Sequence, residues 1–350
     1  MKIVSLFSGA GGLDRGFEAA GFRTVWANEY DKTIWETFET NFPGTYLDRR
    51  SIVAVPSEDI PECDGIVGGP PCQSWSEAGK LRGIDDHRGQ LFFEFIRVLR
   101  DKQPRFFLAE NVSGMLAGRH SDALKNIKSL FEESGYHLSF KLLNAADYGV
   151  PQERKRVFFI GIREDLDTTF HFPTPYVHKR VLKDAIWDLK DSALPAKKKS
   201  YTNGAACAVA NHEYMTGGFS SMYMSRNRVK HWDEPSFTIQ AGGRHAPIHP
   251  QAPKMKFIEK DKRIFVEGKE DLYRRLSVRE CARIQTFPDD HVFYYDNLVA
   301  GYKMVGNAVP CNLAYFLARQ IMDTLEPTRA LQKTVIRATR EVETQAELVG

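Results

Sequence analysis

Residues 3–20 read IVSLFSGAGGLDRGFEAA, and this stretch decides the fold. Residues 3–7 form a short apolar run closed by Ser8, Gly9, Ala10, Gly11 and Gly12, after which Leu13, Gly16, Phe17 and Ala20 recur at the spacing of one helix face. Strand, glycine turn, helix is the opening unit of an open α/β sheet. A second strand over 24–27 ends at Asn28, Glu29, Tyr30 and Asp31. Nucleoside-binding folds place an acid for ribose hydroxyls about 20 residues after the turn, so Glu29 is the candidate hydroxyl binder. Further strands are expected at 65–67, 106–109 and 157–162, with helices at 91–99 and 121–134. This alternation predicts an α/β protein with a mostly parallel sheet.

The pattern lapses after Pro173, where Pro, Gly, Asn, Ser and Lys become frequent. It resumes over 312–322, where Leu313, Phe316, Leu317 and Ile321 share a face that would return to the first domain. The expected division is a large domain of residues 1–172 and 304–325, a smaller irregular domain of 173–303 that includes an interdomain helix, and a charged tail at 326–350. The 350 residues are 42% hydrophobic, enough for a sizeable core. Net charge is +3, yet residues 171–263 carry 16 Lys and Arg against 8 Asp and Glu, so a polyanion is the partner this region would meet. No apolar run reaches the roughly 18 residues of a membrane span, and the start is too short for a signal sequence, so a cytoplasmic protein without membrane contact is expected.

Cys72 stands in the loop GGPPCQ, after the strand at 65–67. A thiol there becomes nucleophilic as thiolate if cations or a helix start lie near. Cys63, Cys207, Cys281 and Cys311 form no CxxC pair and have no metal-ligand spacing, so zinc and a disulfide framework are unsupported. FSGAGG lacks the GxGxxG form that seats a pyrophosphate, and no GxxxxGK[ST] loop occurs. The ligand should be a nucleoside with little or no phosphate. S-adenosylmethionine fits, with the turn holding its amino-acid part, Glu29 its ribose and Tyr30 against adenine.

FSGAGG at 7–12, GGPPCQ at 68–73, ENV at 110–112, QERKR at 152–156 and GNAVP at 306–310 occur in the order found in the DNA cytosine-5 methyltransferases, which the chain resembles over residues 1 to about 325. The segments LLNAADYGVPQERKRVF, SRNRVKHW and LYRRLSVRECARIQTFPDD make it similar to the bacterial GGCC-specific, HaeIII-type modification enzymes. The resemblance implies a Rossmann-like, S-adenosylmethionine-dependent methyltransferase domain beside a target-recognition domain. It assigns Cys72, Glu110, Arg154 and Arg156 to catalysis, and Phe7, Gly9, Gly11, Glu29, Tyr30, Pro70 and Asn307 to the cofactor. No metal is implied. The family often has an Asp–Ile pair after its third strand to receive the adenine amino group; here Asp48 or Ser51 would substitute, with Ile52 as the apolar wall.

Carbon 5 of cytosine is too weak a nucleophile to accept a methyl group directly. Thiolate addition from Cys72 to carbon 6 activates it, provided ring nitrogen 3 is protonated or strongly hydrogen-bonded by Glu110. Arg154 and Arg156 alternate just before the strand at 157–162, so both are expected to face the pocket, with Gln152 in a weaker supporting role. The glycine- and charge-rich run 74–90 reads as a lid over DNA. In the second domain, Arg226, Arg228 and Arg244 are the candidate guanine readers, while Lys197, Lys198, Lys199, Lys230 and Lys254 would touch phosphate. Arg275, Arg279 and Glu280 would brace the two domains.

The expected partner is double-stranded DNA, methylated at the inner cytosine of GGCC to protect a genome from a cognate restriction endonuclease encoded nearby, without stable binding to it. A monomer is expected. The alternative is a cytosine-5 enzyme acting on transfer RNA. A cofactor-binding regulator without turnover is disfavoured by the complete set of reactive residues, and a nicotinamide oxidoreductase by the lack of GxGxxG.

Overall fold

In the computed structural model, the described residues are 1–71, 87–176 and 178–326, without the side chains of 87–89 and 119. The first half alternates β1 (Lys2–Leu6), α1 (Gly12–Ala19), β2 (Arg23–Asn28), α2 (Trp35–Asn41), β3 (Tyr46–Asp48), β4 (Gly65–Gly68), α3 (His87–Lys102), β5 (Phe106–Val112), α4 (Ser121–Glu132), β6 (Tyr136–Asn144) and β7 (Lys155–Arg163). The strands form one sheet in the order β3-β2-β1-β4-β5-β7-β6. β1 to β5 run parallel, and β7 inserts antiparallel between β5 and β6. The sheet is therefore mostly parallel, as its alternation with helices requires.

β6 was not foreseen. Its sequence YHLSFKLLN forms the sheet edge and leaves most of its side chains partly or fully exposed, so it lacks the apolar run of the buried strands.

Beyond β7 the elements are short: α5 (Leu182–Ile186), β8 (Leu194–Pro195) paired with β9 (Glu213–Tyr214), α6 (Ser221–Met224), β10 (Lys256–Glu259) paired with β11 (Lys262–Ile264), and α7 (Val278–Ile284). α7 starts with a capping box, in which Ser277 Oγ accepts from Glu280 N at 3.0 Å and Glu280 Oε2 accepts from Ser277 N at 2.7 Å. The chain then forms α8 (Leu298–Asn307) and α9 (Cys311–Leu325).

α9 returns to the sheet and packs on α1. A Cβ added at Gly16 would lie 2.4 Å from Ala314 Cβ, so glycine is what lets the two helices touch. Phe17, Leu313, Leu317 and Ile321 bury there against Ile3, Phe106 and Phe158. The opposite face is covered by α3 and α4 through Phe92, Phe95 and Phe131, against Val4, Phe107 and Phe159. Among the described residues no helix is long and apolar enough to cross a membrane.

Candidate active site

β1 delivers the chain to the carboxyl edge of the sheet, where the glycine turn reverses it. Phe7 (φ 54°), Gly9 (φ 55°) and Gly11 (φ 81°) all occupy the left-handed region, which a side chain disfavours; Phe7 in that region is a strained position of the kind found at ligand sites. Gly11 N donates to Ser8 O at 3.0 Å and caps the start of α1. Across the turn, Gly9 N donates to Glu29 Oε2 at 2.9 Å and Asp31 N to Glu29 Oε1 at 2.8 Å. Burial raises the Glu29 pKa, while these two N–H donors oppose the rise.

A cavity of about 360 Å³ opens here, within the usual range of small-molecule sites, about 300–1,000 Å³. Its wall contains Phe7, Gly9, Glu29, Pro70, Glu110 and Asn307, residues far apart in the chain. Gly11 and Tyr30 are not in it. Gly11 shapes the turn, with Phe42 ring atoms 2.2 Å from where its Cβ would be, and Tyr30 is 72% exposed. Asp48, Ser51 and Ile52 also lie outside the wall. The Asp48 carboxylate binds Arg50 at 2.6 Å, and Ile52 is in the core beneath α3.

Sequence reading missed Ile34, which supplies apolar wall, and the ion pair of Asp31 with Lys303 at the same cavity. An acid two residues after Glu29 was a visible signal; its partner 272 residues away was not. A carboxylate for hydroxyls, a glycine turn, an amide at Asn307 and apolar surface from Ile34 and Leu13 fit S-adenosylmethionine. Among the described residues no group of three or more His, Cys, Asp or Glu would hold a metal.

Glu110, two residues before the end of β5, lies against the same cavity. Its Oε1 lies 2.9 Å from Arg156 Nε, and its Oε2 faces Gly69, where an added Cβ would come to 3.2 Å. Burial raises the Glu110 pKa, and the charges of Arg156 and Arg154 pull the other way. Beside it, Asn111 Nδ2 donates to Pro70 O at 3.0 Å, strapping the loop that leads to the cysteine. Cys72 itself lies outside the described residues, as does the expected lid through residue 86; residues 87–90 begin α3.

Arg154 is more deeply buried than Arg156, and its charge also reaches Glu110. It precedes β7 and is 1% exposed. Its Nη1 donates to Ile239 O at 2.9 Å, and its Nη2 to Gly306 O at 2.9 Å and Ala308 O at 3.0 Å. The expectation that both arginines enter the pocket is corrected: neither lines this cavity, Arg156 reaching it only through its ion pair with Glu110, while the Arg154 hydrogen bonds join the cofactor wall to residue 239. Gln152 completes this joint. Its Oε1 accepts from Ile239 N at 2.8 Å and its Nε2 donates to Gln285 Oε1 at 2.7 Å, while Gln285 Nε2 donates to Val305 O at 2.8 Å. Gly306 permits the closeness, since a Cβ there would lie 2.3 Å from Gln240 C.

In the second region Arg226 and Arg244 are exposed. Arg228 is half-buried over the Tyr223 ring, and its Nε donates to Tyr223 O at 3.0 Å. Arg275, Arg279 and Glu280 are buried, and Arg279 Nη2 donates to His291 O at 3.0 Å.

The profile of the C-5 cytosine-specific DNA methylases matches residues 1–323. The Type II methyltransferase M.FnuDI of Fusobacterium nucleatum is 58% identical over 342 residues, covering 97% of this chain and 99% of that protein. M.NgoPII of Neisseria gonorrhoeae is 59% identical over 331 residues, covering 93% and 96%. A DNA modification methyltransferase encoded within an E. coli prophage superposes with a TM-score of 0.72 at 25% identity, covering 93% of this chain and 99% of that one. With a glycine turn, a buried carboxylate paired to arginine and five ordered motifs in one chain, the protein belongs to the C-5 cytosine-specific DNA methylases and is a DNA (cytosine-5-)-methyltransferase of the Type II restriction-modification kind.

Proposed function

We propose that the enzyme methylates the inner cytosine of GGCC in duplex DNA through a temporary bond between Cys72 and a base turned out of the helix. The observation that carries this reading is the Glu110–Arg156 pair, set against the cofactor cavity and touching the loop that Asn111 straps ahead of Cys72. Residues 1–172 and 304–325 would hold cofactor and catalyst, and residues 173–303 would read the target. The bound S-adenosylmethionine supplies an electrophilic methyl group on a sulfonium.

The Cys72 thiolate adds to carbon 6 and forms a carbon–sulfur bond. Electron density moves through carbon 5 while Glu110 holds a proton at ring nitrogen 3, a role suited to a buried carboxyl with a raised pKa. Arg156 orients Glu110 and offsets negative charge at the base. After methyl transfer a base removes the proton on carbon 5, the carbon–sulfur bond breaks and aromaticity returns. Rotating the cytosine out of the stack costs a few kcal/mol, which contacts from the second region would offset.

Methyl transfer to a GGCC duplex, a scrambled duplex and transfer RNA tests the target. Labelling confined to GGCC supports the proposal, equal labelling of both duplexes refutes the sequence assignment, and preference for transfer RNA refutes the substrate. A 5-fluorocytosine duplex should trap a covalent adduct with the wild type and none with Cys72→Ala. No observation favours the transfer-RNA alternative.

A further inference from the structure

Three cations share a second cavity, on the side of the molecule that carries Arg244. It measures about 370 Å³ and is bounded by Lys199 and Ser200, the loop 215–218, the start of α8 and the turn holding Arg244. Lys199, Arg244 and Arg275 stand in its wall, and no carboxylate does. Lys199 and Arg244 are exposed, and neither side chain has a hydrogen bond or ion pair with the described residues. Arg275 is 3% exposed. Its Nη1 donates to Gly217 O at 3.2 Å and its Nη2 to Gly218 O at 3.0 Å, while the buried Nε has no partner among the described residues. These acceptors are neutral and the guanidinium lies over the Phe219 ring at 4.1 Å, so Arg275 frames the wall, while Arg244 adds repulsion and Lys199 and Arg244 carry the charge that no acid there offsets. Like charges around a concavity without an acid favour an anion there.

The backbone is shaped to the same end. Lys199 (φ 60°) and Ser200 (φ 61°) are consecutive non-glycine residues in the left-handed region, an arrangement that persists only where the surroundings over-determine it and that recurs at ligand clamps. Asn297 holds it: its Nδ2 donates to Lys199 O at 2.9 Å, and its Oδ1 accepts from Val299 N at 3.0 Å. One side chain thus fixes both the lysine turn and the start of α8, whose positive dipole end borders the cavity.

We propose that this cavity is a subsite for one phosphodiester group of the bound duplex, beside the base pair that Arg244 reads. The assignment rests on residues 173–303 being the DNA-facing region. A phosphate matches a wall that offers an ammonium, a guanidinium and a helix start.

The test uses the full chain with S-adenosylhomocysteine and GGCC duplexes in which single phosphates are replaced by neutral methylphosphonates. Lys199→Ala should lower the slope of log affinity against log salt by about 0.9, the value for one phosphate. One methylphosphonate position should weaken the wild type and leave Lys199→Ala unaffected. An unchanged slope, or every neutralised position weakening both proteins alike, overturns the subsite. Inorganic phosphate binding that Lys199→Ala abolishes without changing the slope would assign the cavity to a free anion and overturn the duplex assignment. Arg226→Ala in the same assay separates the two levels of argument. If it lowers discrimination while Lys199→Ala is silent, only the subsite fails; if both are silent, the DNA-facing assignment fails as well.

Discussion

Arg156 Nε lies 2.9 Å from Glu110 Oε1, and the pair joins β7 to β5 diagonally, Glu110 standing two residues from Val112, which faces Arg156 across the sheet. The guanidinium holds the carboxyl on one side and leaves Oε2 toward the Gly69 loop. Glu110→Gln should keep the shape and remove the acid. Its methyl-transfer rate is expected to fall by about 10²–10⁴-fold, the range for a general acid or base, with DNA affinity changed only a few-fold. Single-turnover kinetics beside a binding isotherm check this; an equal loss in both would mean the residue serves binding.

Arg154→Met should act on stability and cofactor affinity before chemistry. It would leave the carbonyls of Ile239 and Gly306 without their buried donor, Ala308 O keeping Gln285 Nε2 at 3.1 Å, at a cost of about 2 kcal/mol or more. Denaturant unfolding and S-adenosylhomocysteine titration are the measurements. A variant with wild-type stability and cofactor affinity but no turnover would instead place Arg154 at the reacting base.

Arg226→Ala should relax discrimination at one guanine by about 1–3 kcal/mol while nonspecific binding changes little, because the side chain is exposed and engaged by no other residue described. Arg228→Ala should also loosen the α6 turn, since Arg228 donates to the Tyr223 and Met222 carbonyls. Competition binding with single-base variants of GGCC distinguishes the two; uniform loss on every sequence would mark Arg226 as a phosphate contact.

Gly16→Val should destabilise the enzyme by about 1–3 kcal/mol or more, as overpacking does, because Ala314 Cβ and Cys311 O already lie 2.4 and 2.5 Å from an added Cβ. Urea unfolding of the variant and of Gly16→Val with Ala314→Gly measures it, with partial recovery expected in the pair.

Asp14 is buried beneath the glycine turn, accepting from Ser5 Oγ and Thr24 Oγ1 at 3.2 Å each. Burial pushes its pKa up to about 7. In the unfolded chain it ionises near pH 3.9, so native stability is lost as pH rises from about 4 to 7 and levels off above that. Asp14→Asn should therefore gain stability over the wild type progressively across that window, by at most about 4 kcal/mol. Unfolding curves at pH 4 and pH 8 decide it; a constant difference would show that Asp14 is ionised in the fold.

β1, β2, β4, β5 and β7 were legible because each contains an apolar run, whereas the three-residue β3 was too short to show one, and α1 was legible because Leu13, Gly16 and Phe17 repeat on one face. β6 was not, since an edge strand bearing His137 and Lys141 offers no comparable contrast. Glu29, Glu110 and Asn307 were legible because strand and helix ends bring them to one edge of the sheet. Alternation alone could not give the partners of the two arginines, since Arg154 is fixed by carbonyls of residues 239, 306 and 308 and Arg156 by Glu110, all distant in sequence. Ile34 and the Asp31–Lys303 pair depend on distant packing that no local spacing encodes.

The joint around Gln152 and Arg154 meets the second region largely through main-chain atoms: Ile239 N and O there, and the Ser236 N–H and carbonyl with Pro151 and Glu153. Such a hinge is indifferent to which side chains project from the neighbouring loops. Evolution, or an engineer grafting loops between homologues, is therefore free to rewrite the address an enzyme of this build responds to, provided the peptide path through 236–240 is kept, while the catalytic half stays untouched.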